Sequence, residues 1–182
     1  MVEEARLEHT PSGLAPASDG WFVVNVRDAA WTERPGFATS CRFEATETPF
    51  GDLGINVRVL QPGRPNGLYH TDSCQEDFLV LSGECLLLVE GQERRLRAWD
   101  FVHCPPNTAH IFIGAGDDPC AILMVGARKE GRRIHYPISD LAATHGASVE
   151  AETDSPAEAY ASYPPMQPGR PHGWDRLPWT QP

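Results

Sequence analysis

The chain of 182 residues is 41% hydrophobic and 22% charged, the balance of an ordinary globular protein with room for one sizeable core. Its 15 lysines and arginines stand against 25 aspartates and glutamates, and the net charge of −10 argues against nucleic acid as the main partner, since phosphate binding needs a basic surface. The longest uninterrupted apolar run, residues 120–125, falls far short of the ~18 residues a membrane-spanning helix needs, and the start of the chain, with Glu3 and Glu4, shows no apolar secretion core.

Residues 1–19 are polar, with Pro11, Gly13 and Pro16, and read as a flexible N-terminal arm. The first strong strand signal is residues 21–26, followed by a loop over 31–36 and a weaker strand over 37–46. Residues 55–60 alternate cleanly and end at the turn dipeptide Pro62-Gly63. Short apolar runs follow at 78–81 and 85–89, and Glu90-Gly91 fits a tight hairpin returning through 94–97. Residues 101–104 are stopped by Pro105-Pro106, and Asn107 stands where a turn wants a left-handed residue. Strands are expected again at 109–113, 120–125 and, as a last edge, 134–138. Many short strands with Gly and Pro turns indicate an all-β sandwich or barrel, placed at residues 20–138. Beyond it, residues 139–182 read as a helical segment and a Pro- and Trp-rich tail. Residues 139–145 form a short helix stopped by Gly146, and Ser155 to Glu158 has the spacing of a capping box. Trp174 and Trp179 in the tail predict that it packs on its own barrel or on a second subunit. Cys41, Cys74, Cys85, Cys104 and Cys120 are odd in number and unpaired in spacing, which suits a reducing cytoplasm.

Chemistry concentrates in two stretches, residues 69–83 and 99–110. Side chains two apart on a strand share a face, so His70 and Asp72 can look into one interior. Glu76 keeps that parity, and His110 offers a second imidazole from a distant strand. Two imidazoles and two carboxylates converging inside a barrel can hold one divalent metal ion. Asp72 has a second reading, turned outward in the polar loop 71–75. Without it, the remaining set has the composition of the facial triad of non-haem iron sites. The pocket lining expected around these donors is Arg58, Tyr69, Phe78, His103 and Phe112. Asn56 and Arg58 alternate with Ile55, Val57 and Val59; they face solvent if the apolar set faces the core, whereas in a polar cavity Arg58 can clamp an anionic substrate. Of the neighbours His103 and Cys104, one is expected in the core and the other at the surface. Cys74 reads as a free thiol in a loop, and the basic cluster 128–133 as a solvated strand end. No phosphate loop, dinucleotide fingerprint or nucleophile–base arrangement is visible.

The two stretches together resemble the two motifs of the cupin superfamily. The first motif is a Gly, then His-x-His, a Glu and a Gly at set intervals. His70, Glu76 and Gly83 stand at those intervals, Asp72 takes the place of the second His, and Gly63 lies one residue early. In the second motif Pro105, Pro106 and His110 fit, while Trp99 replaces the first Gly, Asn107 the second Gly and Gly114 the final Asn. The resemblance covers residues 50–127. It implies a cupin-type antiparallel β-barrel, the double-stranded β-helix or jelly roll, with His70, Glu76 and His110 as metal ligands in its mouth, and frequent homodimerisation. It also implies a small cytoplasmic enzyme of oxidoreductase, dioxygenase or isomerase type, acting on a small molecule with one divalent ion (Fe, Mn, Ni or Zn). A second reading is a non-catalytic ligand-binding or sensing cupin with a structural metal or none.

Overall fold

Short β-branched and aromatic runs broken by Gly and Pro build an antiparallel barrel in the computed structural model, which describes residues 1–180. A hairpin of β1 (Leu7–Thr10) and β2 (Gly13–Pro16) precedes β3 (Ala30–Glu33), β4 (Thr39–Arg42) and β5 (Leu53–Leu60). The centre of the chain supplies β6 (Thr71–Asp72), β7 (Glu76–Ser82), β8 (Glu84–Val89), β9 (Gln92–Arg97), β10 (Phe101–Cys104), β11 (His110–Ala115) and β12 (Cys120–Ala127). Then come β13 (Ile134–His135), α1 (Asp140–Ala143), α2 (Pro156–Ala159) and β14 (Gln167–Pro168). One sheet runs β10-β7-β12-β5-β4-β3-β14, the other β11-β8-β9, and β13 pairs with β6. Between β5 and β6 the chain lies along β11, bridging Pro62 to Gly114, Pro65 to Ile113 and His70 to His110.

Both sheets carry buried side chains on each face, and this decides which side chains reach the barrel interior. Leu60, Phe78, Val80, Leu87, Phe112 and Ile122 fill the space between the sheets. Trp31, Cys41, Val57, Val59, Ala121 and Leu177 form a second core on the outer face of the large sheet. A third, with Tyr69, Leu88, Ile111, Ile113, Ala142 and Ala147, covers the outer face of the small one. Leu87 and Leu88 therefore enter different cores, as do Ile111 and Phe112. The tail supplies the outer lid. Trp174 and Trp179 lie 5.5 and 5.6 Å from the fully buried Trp31 ring, packed on the chain's own barrel. Gln181 and Pro182, the last residues of the expected tail, lie outside the described residues.

Several expectations change. The flexible arm expected over residues 1–19 contains the β1–β2 hairpin, whose strands pair from Leu7–Pro16 to Thr10–Gly13. Residues 21–26 make one bridge, Glu4 to Trp21, and leave the ladder. The Trp31 indole donates to the Val26 carbonyl (2.9 Å), holding that run against a sheet face, and β14 occupies the edge of β3. The loop expected over 31–36 begins instead inside β3, because the ladder with β4 sets Trp31 opposite Cys41 in the outer core. Of the edge strand expected over 134–138, Ile134 and His135 pair, against Asp72 and Thr71. Ser155 Oγ accepts from Glu158 N–H (3.3 Å), as the capping-box spacing predicts, and Ser139, expected as the first residue of a helix, is instead its cap, with Oγ accepting from Ala142 N–H (3.2 Å). Glu90 and Gly91 take φ of 48° and 70°, as a tight hairpin requires.

Candidate metal centre

Two segments far apart in sequence place the imidazoles. His70 N–H donates to the His110 carbonyl (3.3 Å) and His110 N–H to that of His70 (2.9 Å), so the residues form a cross-strand pair with ring centroids 5.0 Å apart. Each Nδ1 lies against a backbone carbonyl, that of Leu68 at 2.9 Å for His70 and that of Thr108 at 3.0 Å for His110. A carbonyl can only accept, so each Nδ1 carries the proton and each Nε2 presents its lone pair to the interior. Glu76, at the start of β7, points at both: its Oε2 is 3.5 Å from His110 Nε2 and 3.9 Å from His70 Nε2. One donor atom from each of the three residues lies within 4.8 Å of the others. Glu76 Oε2 is buried and has no hydrogen-bond partner among the described residues.

Burial governs the electrostatics. It lowers His70, with the His110 ring adding to the effect, to about 4, and it lowers His110 as well. Both rings are therefore neutral at neutral pH. Burial, with the Asp72 charge behind it, raises the Glu76 carboxyl to about 7. Two neutral imidazoles and an orphaned carboxylate oxygen make an N,N,O donor set that a divalent ion fits, and the ion would offset the cost of burying that oxygen.

Asp72 is buried yet stands outside the trio. Its Oδ1 accepts from Cys74 N–H (2.9 Å), and its Oδ2 accepts from Arg132 Nε (2.6 Å) and from Arg132 Nη2. A loop aspartate binds the backbone two residues on, and here that habit and a guanidinium use both oxygens. The solvated strand end expected over 128–133 is corrected at two positions, since Arg132 holds Asp72 and Arg128 holds Glu44. Cys74 is a free thiol, but a buried one.

The trio opens into a cavity of about 620 Å³ at the barrel mouth. Arg58 and Phe78 line it, as expected. Tyr69, Phe112 and His103 do not. Tyr69 belongs to the outer core of the small sheet. Phe112 lies a layer deeper, 4.8 Å from the Phe78 ring. His103 is on the outside, 2.7 Å from Asp77, while its neighbour Cys104 is in the core. Arg58 reaches the interior because Val57 and Val59 serve the outer core, so the apolar set of β5 marks the outer face and not the cavity. Tyr136, Tyr160, Arg34 and Arg42 also line the cavity and escaped the sequence reading. Tyr160 alone had a sequence signal, its place in the C-terminal segment whose tryptophans need a surface to cover. Tyr160 accepts from Leu68 N–H (2.9 Å), and Tyr136 lies 5.8 Å from the His70 ring.

A closed antiparallel barrel with an imidazole–carboxylate trio at its mouth is a barrel of cupin type. Residues 56–126 match the family model described as the cupin domain, and over that span the chain is similar to the cupin superfamily. No curated protein matches it in sequence. A protein from Acidithiobacillus ferrooxidans assigned as a sugar phosphate isomerase is 27% identical over 46% of this chain and 55% of its own, with a TM-score of 0.44. The chain thus spans about half the length of that relative. A sugar phosphate isomerase of the cupin superfamily from Silicibacter pomeroyi aligns at 24% identity over 57% of this chain and 67% of its own, with a TM-score of 0.51. The polyketide cyclase RemF from Streptomyces resistomycificus aligns at 13% identity over 88% and 96% of the two chains, with a TM-score of 0.53. The latter two show the fold.

Proposed function

We propose that this cupin binds one divalent metal ion, of the Fe, Mn, Ni or Zn kind, through His70 Nε2, His110 Nε2 and Glu76, and acts on a small molecule held in the adjoining cavity. The observation that carries this reading is the convergence of three donor atoms within 4.8 Å, one of them a buried carboxylate oxygen without a partner. A two-imidazole, one-carboxylate set leaves coordination positions open. A metal bound there supplies Lewis acidity toward a substrate oxygen, the chemistry shared by oxidoreductase and isomerase types. The chain's own residues do the rest. The Leu68 and Thr108 carbonyls fix the tautomers of the two rings, Asp72 and Arg132 buttress the loop that carries His70, and Tyr136 and Tyr160 shield the mouth from water.

The wider setting belongs to the same proposal. All five cysteines are free, which supports a reducing, cytoplasmic location. Among the described residues no helix is long and apolar enough to cross a membrane. Trp99 and Phe101, exposed beside the edge strand β10, support homodimerisation.

Metal analysis of the purified full-length chain tests the central part. Wild type is expected to retain about one equivalent of metal after dialysis, His110→Ala and Glu76→Gln close to none, and Asp72→Asn close to the wild-type content. Equal content in wild type and His110→Ala would count against the assignment.

A further inference from the structure

We propose that the cavity takes a small organic anion, with a carboxylate or phosphate group docked on the Arg58 guanidinium beside the His70–Glu76–His110 trio and a partly aromatic body against the cavity wall. The placement beside the trio rests on the metal-centre reading above; the anion subsite has its own evidence. Arg58 sits in the middle of β5, opposite Ser40 on β4 and Ile122 on β12, with its side chain in the cavity. Its Nη1 donates to the Asn66 carbonyl (2.9 Å) and its Nε to Asn56 Oδ1 (3.3 Å). Nη2 has no hydrogen-bond partner, and no carboxylate pairs with the group, among the described residues. A guanidinium held this way in a half-buried site keeps a full charge and a free donor edge.

The neighbouring charges point the same way. Five arginines line the cavity. Arg128 and Arg132 are neutralised by Glu44 and Asp72. Arg34 lies over the Tyr160 ring at 4.6 Å, and Arg42 contacts Met166 Sδ at 3.6 Å; neither pairs with a carboxylate among the described residues. A chain of net charge −10 thus directs a third of its 15 basic side chains into one cavity and leaves three of them without an anion. That arrangement focuses positive potential where the global charge is negative, and it selects an anionic guest. The planar fork of a guanidinium matches carboxylate and phosphate oxygens. Phe78, Tyr136, Tyr160 and Met124 supply the apolar and aromatic wall, and about 620 Å³ suits a ligand of that kind.

Titration calorimetry on the full-length protein, metal-loaded and after chelation, with benzoate, phenyl phosphate and the neutral benzamide as probes, tests the proposal. At least one anion is expected to bind about tenfold or more tightly than benzamide, and Arg58→Gln is expected to weaken that anion about tenfold while metal content stays at the wild-type level. The tighter of the two anions identifies the group as carboxylate or phosphate. Equal affinity for benzamide, or undiminished anion binding in Arg58→Gln, overturns the proposal. Anion binding that survives chelation and still requires Arg58 supports it even if metal analysis rejects the trio as a metal site. Should Arg58→Gln fail to fold, phenylglyoxal labelling of the wild type reads the same contact: the bound anion must slow modification of Arg58, and unchanged labelling overturns the proposal.

Discussion

Glu76 sets the charge balance of the site. Its carboxyl is raised by burial and by the Asp72 charge from an ordinary 4.5 to about 7, so the metal-free fold favours the proton more than the unfolded chain does. The stabilising contribution of that proton is fully present below pH 4.5 and is lost as pH rises through about 7. A divalent ion competes for the same oxygen, so the melting-temperature gain on adding metal should grow over that interval, as thermal scans at a series of pH values will read. Glu76→Gln should flatten the dependence, and a gain independent of pH in wild type would contradict it. The meeting of His70, Glu76 and His110 was legible in the sequence because parity and motif spacing select the first two and motif spacing selects His110. Asp72 obeys the same parity, but its short side chain is taken by Cys74 N–H and by Arg132, a residue sixty positions away that no local pattern connects to it.

Turns and strands carry the departures from the family pattern. Trp99 stands where the second cupin motif has a glycine, and it retains the left-handed backbone, at φ 75°; Asn107 does the same at φ 67°. A left-handed tryptophan costs on the order of 1 kcal/mol, and Trp99 is 74% exposed, so little packing offsets the strain. Trp99→Gly should therefore stabilise the protein by about 1 kcal/mol, an increase of roughly 2–4 °C in melting temperature, with the metal site untouched. A fall in melting temperature would show that the ring is covered, most directly by a second copy of the chain. Gly114 replaces the motif's final Asn for a steric reason: a Cβ there would lie 2.1 Å from the Gln61 carbonyl oxygen, where the 61–66 segment runs against β11. At this scale the strands of the barrel were readable from alternation and turn chemistry. The facing of β5 was not, because alternation reports which face is apolar but not which of two buried faces encloses the cavity.

The whole molecule is a barrel wrapped by its own ends. Val24, Val26 and Ala29, the tail tryptophans and α1 cover the outer faces of both sheets, which frees the interior of the large sheet to carry Asn56, Arg58 and Glu76. Leu177, 1% exposed in the outer core, ties the tail to Trp31 and Val57. Leu177→Ala should cost about 2–4 kcal/mol in denaturant unfolding and leave metal content unchanged, since the trio lies on the other side of the sheet. A loss of metal in that variant would mean that the tail shapes the site as well as the fold. The tail's need for cover was legible in its tryptophans; the face it covers depends on long-range packing with Trp31, which sequence pattern does not carry.

The account stands most directly on anomalous X-ray diffraction from crystals of the full chain grown with manganese. It predicts one peak at about 2.0–2.3 Å from His70 Nε2, His110 Nε2 and a Glu76 oxygen, with Asp72 still on Arg132. No peak between those three side chains, or a peak coordinated elsewhere in the barrel, would contradict it.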